Sequence, residues 1–237
     1  FIDNLFCISR SLFKGNEVTY ISTPISTGER YINWYNTAGK NFVKNSESYK
    51  NELRKDVIEP NIKDANVHIN NIRKTYRKVI IDPTTIESEP LCWKQEEFYE
   101  FWDRVIKELV HEIIFLDGWE YSIGCCHELI SALEKNINIY TQEMKILTIQ
   151  DALIKLNRSV TQYKSIDNES ARKMQKIIKK LEGYTNNNVK ELMIKSANYM
   201  KDEKLDLLIS NEIANIAQFV SFEPNIDLVP KYIHINN

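Results

Sequence analysis

Along the first two thirds of the chain, short apolar runs bounded by turn residues alternate with stretches of helical periodicity. Val18-Thr19-Tyr20-Ile21-Ser22, β-branched and aromatic, predicts a strand, and Thr23-Pro24-Ile25-Ser26-Thr27-Gly28 predicts the loop that ends it. A helix is expected from Glu29, with Tyr31, Trp34 and Tyr35 near helical spacing, either as core or as an aromatic wall against a planar base. Residues 46–58 and 61–76 each read as a helix, broken at Pro60, and Lys78 to Pro83 reads as a second short strand. Thr84 to Leu91 reads as loop. Lys94 to Val110 then predicts a strong helix, with Phe98, Phe101, Trp102, Val105, Ile106 and Leu109 on one broad face. The run Ile113-Ile114-Phe115-Leu116 predicts a buried strand, and a helix is expected from about Gly124. Asn138-Ile139-Tyr140 and Met144 to Leu147 predict a further strand region, followed by a helix through Leu156. Residues 1–17 give no clear element.

This alternation predicts an α/β fold: a doubly wound, Rossmann- or flavodoxin-like parallel sheet over residues 1–158, with right-handed crossovers. The polar, Asn- and Lys-rich stretch 40–76 is expected as a helical insertion, a lid or an assembly surface. After about residue 158 only helices are expected, over Glu169–Glu182 with Gly183 as stop, then Asn188–Met200 and Glu203–Phe219, before a tail marked by Pro224 and Pro230. The apolar residues Leu192, Met193, Leu207, Leu208 and Ile213 predict that 159–237 serves a homo-oligomer or a protein partner.

Composition narrows the function classes. The net charge of −2 over 237 residues argues against a general electrostatic grip on nucleic acid or anionic membrane. No apolar run approaches the length of a membrane span. The opening FIDNLFCISRSLFKG lacks a signal-peptide pattern, and Cys7, Cys92, Cys125 and Cys126 form no CxxC pair, so reduced thiols in a cytoplasm are expected.

The chemistry concentrates in His111–Leu133. A strand, a glycine turn and a helix N-terminus make an anion-binding crevice at the carboxyl end of a sheet, with Glu128 in the first turns of the helix. Tyr20–Gly28 lies at another such end, so the two segments are expected to share a site. His111, Cys125, Cys126 and His127 match no common metal-ligand spacing, so neither metal nor cofactor is expected. There is no GxSxG and no P-loop.

Tyr20-Ile21-Ser22-Thr23-Pro24-Ile25 resembles the first strand and loop of the nucleoside deoxyribosyltransferase superfamily, which includes nucleoside 5′-monophosphate N-glycosidases. Ser122-x-Gly124-x-x-x-Glu128 resembles that family's nucleophile signature, and Asp103 stands near its helix-borne Asp. The likeness covers residues 18–148. Two positions depart from the transferases: Thr23 replaces a frequent Gly, and Ser122 replaces an Asp that contacts the sugar 5′-hydroxyl. Members that hydrolyse nucleoside 5′-monophosphates carry Ser at the latter place.

The resemblance implies cleavage of an N-glycosidic bond through an oxocarbenium-like state trapped by the Glu128 carboxylate. Tyr20 would hold that carboxylate, and Asp103, with Asp117 second, would supply the acid. The helix N-terminus would favour ionised Glu128. Ser22, Pro24, Ile25, Gly28, Asp117, Gly118, Trp119, Ser122 and Gly124 are the expected substrate contacts. Ser122 either caps the helix or donates to a phosphate, which makes a nucleoside monophosphate or NAD the expected substrate. Water as acceptor gives a hydrolase and a second base gives a transferase. The biological setting would suit a toxin-like or defence effector. The alternative from another class is a non-catalytic module that binds a nucleotide or a partner protein.

Overall fold

A computed structural model describes residues 2–85 and 93–199, with Gln95 and 186–199 as backbone only. Its centre is a four-stranded, wholly parallel sheet in the order β2-β1-β3-β4. The strands are β1 (Val18–Ser22), β2 (Val79–Ile81), β3 (Glu112–Phe115) and β4 (Asn138–Thr141). In the register, Tyr20 lies beside Ile81 on one side and Ile113 on the other. Every residue of β1 and β3 is buried, as continuous β-branched and apolar runs require when both faces are covered.

The helices are α1 (Ile2–Phe13), α2 (Glu29–Thr37), α3 (Glu47–Leu53), α4 (Glu59–Thr75), α5 (Gln95–Leu109), α6 (Ile123–Glu134), α7 (Ile149–Tyr163) and α8 (Asn168–Tyr199). Strand order reverses at β1: the chain steps one way to β2, then back past β1 to β3 and β4. Crossovers of a single hand therefore put their helices on opposite faces. On one face, Ala65 and Ile69 of α4 pack on Ile21, Ile114 and Leu116. On the other, Phe101, Val105 and Ile106 of α5 and Leu129 and Ala132 of α6 pack on Tyr20, Ile113 and Phe115. Each such aliphatic side chain, fully buried, stabilises the fold by roughly 1.5–3 kcal/mol. Residues 47–75 of the expected helical stretch 40–76 are helical, and α4 is also the layer that covers one sheet face.

Several expectations are corrected. Residues 2–13 form a helix, docked on α5 through buried Phe6 and an Arg104–Asp3 ion pair of 2.7 Å. Pro60 does not break its helix. It sits in the first turn of α4, and the preceding turn, Arg54–Ile58, widens to π geometry, in which a backbone N–H reaches five residues back. There a residue without an N–H costs little. Met144–Leu147 makes no strand: Met144 takes a positive φ of 61° in a turn, and only one antiparallel bridge, Tyr140 to Ile146, returns to the sheet. Gly183 does not stop α8, since a helical glycine costs only about 1 kcal/mol and here adds no positive φ.

The boundary expected at 158/159 falls inside α7, and the first compact unit runs from Phe1 to Thr185. Buried residues of α7 (Leu156, Val160, Tyr163) and α8 (Met174, Leu181) belong to the same core as the sheet, which is why the unit extends so far. The helix expected over 203–219 and the irregular tail lie outside the described residues. So do the side chains expected to carry assembly, Leu192, Met193, Leu207, Leu208 and Ile213. Among the described residues no helix is long and apolar enough to cross a membrane.

Candidate active site

β1 places two hydroxyls on one face of the sheet, because side chains two apart in a strand point the same way. Tyr20 Oη donates to Glu128 Oε1 at 2.7 Å, and Ser22 Oγ donates to Glu128 Oε2 at 2.6 Å. Glu128 lies on α6, one turn in from its N-terminus, so strand and helix hold one carboxylate between them. Both of its oxygens are fixed by side chains of β1. Glu128 forms part of the floor of a cavity of about 630 Å³ beyond the carboxyl ends of β1 and β3. Tyr20 itself is fully buried and its ring meets Trp102 edge-on at 5.5 Å.

The electrostatics of the carboxylate differ from the expectation. Burial raises the pKa of Glu128 above its ordinary value, and the Ser22 and Tyr20 hydrogen bonds pull it back only in part. Helix position alone does not set its charge. Burial, followed by the neighbouring Glu128 charge, pushes the Tyr20 phenol well up, so it remains a hydrogen-bond donor. Burial likewise pushes up the thiols of Cys125 and Cys126.

Asp103, on α5, lines the same cavity. Its Oδ1 accepts from the Ser131 hydroxyl and from Lys107 Nζ at 2.9 Å. It thus reaches the cavity as an acceptor already supplied with donors. His127 also lines the cavity, beside Tyr99 at 5.2 Å between ring centres, and burial, then Lys180, lowers its pKa.

Ser122 is the N-cap of α6: its Oγ accepts from the Cys125 N–H at 3.3 Å. The cap uses an acceptor position and leaves the hydroxyl proton able to donate. Ser122, Ile123 and Gly124 line the cavity, together with Ser26, Thr27 and Ser170. Aromatic side chains of Trp102, Phe98, Tyr99 and Tyr121 make up much of its remaining wall. Among the described residues no lysine or arginine lines it.

The expected substrate contacts divide between two places. Ile25, Ser122 and Gly124 line the Glu128 cavity, whereas Ser22 lines neither cavity and instead holds Glu128. Pro24, Gly28, Asp117 and Gly118 line a second cavity, of about 560 Å³, on the α4 side of the loop after β1. Asp117 is therefore not grouped with Glu128. Thr23 and Thr27 line both cavities, so the loop between them is a shared wall. Asn61 of α4 braces that wall by donating to Ile25 and Thr27 carbonyls at 2.8 and 3.0 Å. Two glycines shape it. Gly28 (φ 94°) and Gly118 (φ 84°) hold conformations a side chain resists, and the Cβ position of Gly118 lies 3.7 Å from Gly28 Cα.

Trp119 lines neither cavity. It is 1 % exposed and packs edge-on against Phe115 at 5.1 Å, as a core residue. The 3₁₀ turn Trp119–Tyr121 sends its three side chains three ways: Trp119 inward, Glu120 to the second cavity and Tyr121 to the first. Tyr163 Oη donates to the Tyr121 carbonyl at 3.0 Å and fixes the turn. Tyr31 and Trp34 are also core, with Trp34 packed on Tyr49 at 5.1 Å. Of the four residues weighed for metal, His111 stands apart from Cys125, Cys126 and His127 of α6: it sits at the amino end of β3 and accepts from Val18 N at 3.2 Å.

The aromatic wall was hidden within the α5 periodicity, where Trp102 and Phe98 looked like core but stand at its edge. Asn61 and Tyr163 carried no local signal. No family model, curated protein or solved structure matches this chain.

Proposed function

We propose that this protein cleaves the base–sugar bond of a nucleotide, as an N-glycosidase or a glycosyl transferase of the nucleoside deoxyribosyltransferase kind, with Glu128 as nucleophile. The observation that carries the reading is the Glu128 carboxylate at the floor of an aromatic cavity, with both oxygens held by Tyr20 and Ser22. A carboxylate so held is preorganised to meet positive charge as it develops on an anomeric carbon, and to bond to that carbon. Aromatic walls suit a planar base. Ser122 and the α6 N-terminus suit the 5′-phosphate, through a hydroxyl proton, backbone amides and the helix dipole. The described cysteines are all free thiols, which supports action in a reducing cytoplasm.

The test is base release, followed by chromatography, from nucleosides and from their monophosphates. Phosphorylated substrates are expected to react faster. Ser122→Asp keeps a good N-cap but places a carboxylate where phosphate should lie, so it should reduce the preference for phosphate by about tenfold or more. An unchanged preference in that variant would make Ser122 a cap alone. No release from any nucleoside, monophosphate or dinucleotide would end the glycosidase reading.

A further inference from the structure

We infer that the substrate is a pyridinium dinucleotide of the NAD type, its pyridinium nucleotide in the Glu128 cavity and its second nucleotide in the cavity between α4 and α7. This rests on the glycosidase reading of Glu128 and deepens it.

The first support is position. The two cavities flank the loop after β1, where strand order reverses, and Thr23 and Thr27 line both. At such a reversal an open parallel sheet leaves a crevice beyond its strand ends, and dinucleotides span it. A ligand crossing Thr23–Gly28 touches both groups of residues that the sequence assigned to one site.

The second support is charge. The Glu128 cavity presents the carboxylates of Glu128 and Asp103 and a set of aromatic rings, with no lysine or arginine among the described residues. That lining suits a planar cationic base. The second cavity has Arg30, Lys155 and Arg158 in its wall. Arg30 is tied to Asn61 at 2.7 Å and Asp64 at 2.8 Å. Lys155 and Arg158 are held only loosely, each 3.8 Å from a carboxylate (Asp117 and Glu29), and are 36 % and 72 % exposed. Both are free to turn to a pyrophosphate. Glu120 lines the same cavity with Oε2 buried and without a hydrogen-bond partner. An acidic group at this place suits the hydroxyls of the second ribose.

The third support is the leaving group. A purine or pyrimidine needs a proton as it departs. Asp103 is already engaged by Ser131 and Lys107, which makes it a poor donor. A pyridinium needs none. The bond from the anomeric carbon to the ring nitrogen breaks, its electron pair neutralises the nitrogen, and a Glu128 oxygen bonds to the carbon. Water then attacks that carbon, Glu128 leaves as carboxylate, and one proton passes to solvent. The products are the free pyridine base and the dinucleotide's ribose-terminated remainder.

The experiment compares kcat/KM for NAD, nicotinamide mononucleotide and nucleoside monophosphates, using the full chain. NAD is expected to exceed nicotinamide mononucleotide by about tenfold or more. In Lys155→Ala with Arg158→Ala, and separately in Glu120→Gln, the ratio of the two should fall by about tenfold. Calorimetry adds a readout independent of turnover: ADP-ribose should bind Glu128→Gln and bind about tenfold more weakly once Lys155 and Arg158 are also alanine. Release from nucleoside monophosphates but not from NAD overturns this inference and leaves the glycosidase reading standing. Equal kcat/KM for NAD and nicotinamide mononucleotide, or ADP-ribose binding indifferent to the second cavity, overturns it too. No base release from any substrate removes both.

Discussion

Glu128→Gln should lose base release by on the order of 10³-fold or more while the protein stays folded and becomes more stable at neutral pH. The loss follows from chemistry: a neutral amide neither bonds productively to an anomeric carbon nor balances its positive charge. The stability gain follows from linkage. Burial raises the folded pKa of Glu128 above its unfolded value. Stability from the protonated form is fully present below the unfolded pKa and is lost as pH rises through the folded one. Above the ordinary glutamate range the wild type therefore loses this stability, and glutamine does not. The amide oxygen still accepts from Tyr20, and its NH₂ meets a Ser22 hydroxyl that can accept. Thermal melts at neutral pH and below the ordinary glutamate range check this: the advantage of the variant should shrink as pH falls. A variant that is inactive because it unfolds would mark Glu128 as structural.

Removing the donors should act on the same group from the other side. Tyr20→Phe and Ser22→Ala each delete one hydrogen bond to a charged carboxylate, which at roughly 1.5–3 kcal/mol corresponds to about 10- to 100-fold in rate. Both bonds lower the Glu128 pKa against burial. Without either one that pKa rises further, so the acid limb of the kcat/KM profile should move to higher pH in each variant. Because the two donors share one acceptor, the double variant should lose less than the product of the single losses. A rate loss with an unmoved acid limb would show that Tyr20 and Ser22 act by packing alone.

The sheet and the position of Glu128 were legible because their signals are local. Val18–Ser22 and Ile113–Phe115 are short, β-branched and aromatic runs bounded by turn residues, and the Gly124-to-Glu128 spacing places a carboxylate one turn into a helix. The Tyr20–Ser22 pair follows from strand alternation, although its shared task of holding Glu128 needs the helix in place. What stayed hidden depends on single turns. Whether Trp119, Glu120 or Tyr121 faces a cavity is decided by one 3₁₀ turn opened by left-handed Gly118. The division into two cavities depends on Asn61 and the loop it braces, across a sequence gap that no local pattern spans. Gly183 misled because a glycine inside a long packed helix costs less than the contacts around it return.

The central claim is that Glu128 bonds to the sugar. Mass spectrometry of acid-quenched protein tests it most directly, with NAD or the fastest nucleoside monophosphate as substrate. The account predicts an adduct with the mass of the glycosyl remainder, on the peptide that contains Glu128, and no adduct in Glu128→Gln. An adduct on another residue, or turnover that persists in Glu128→Gln, would contradict it.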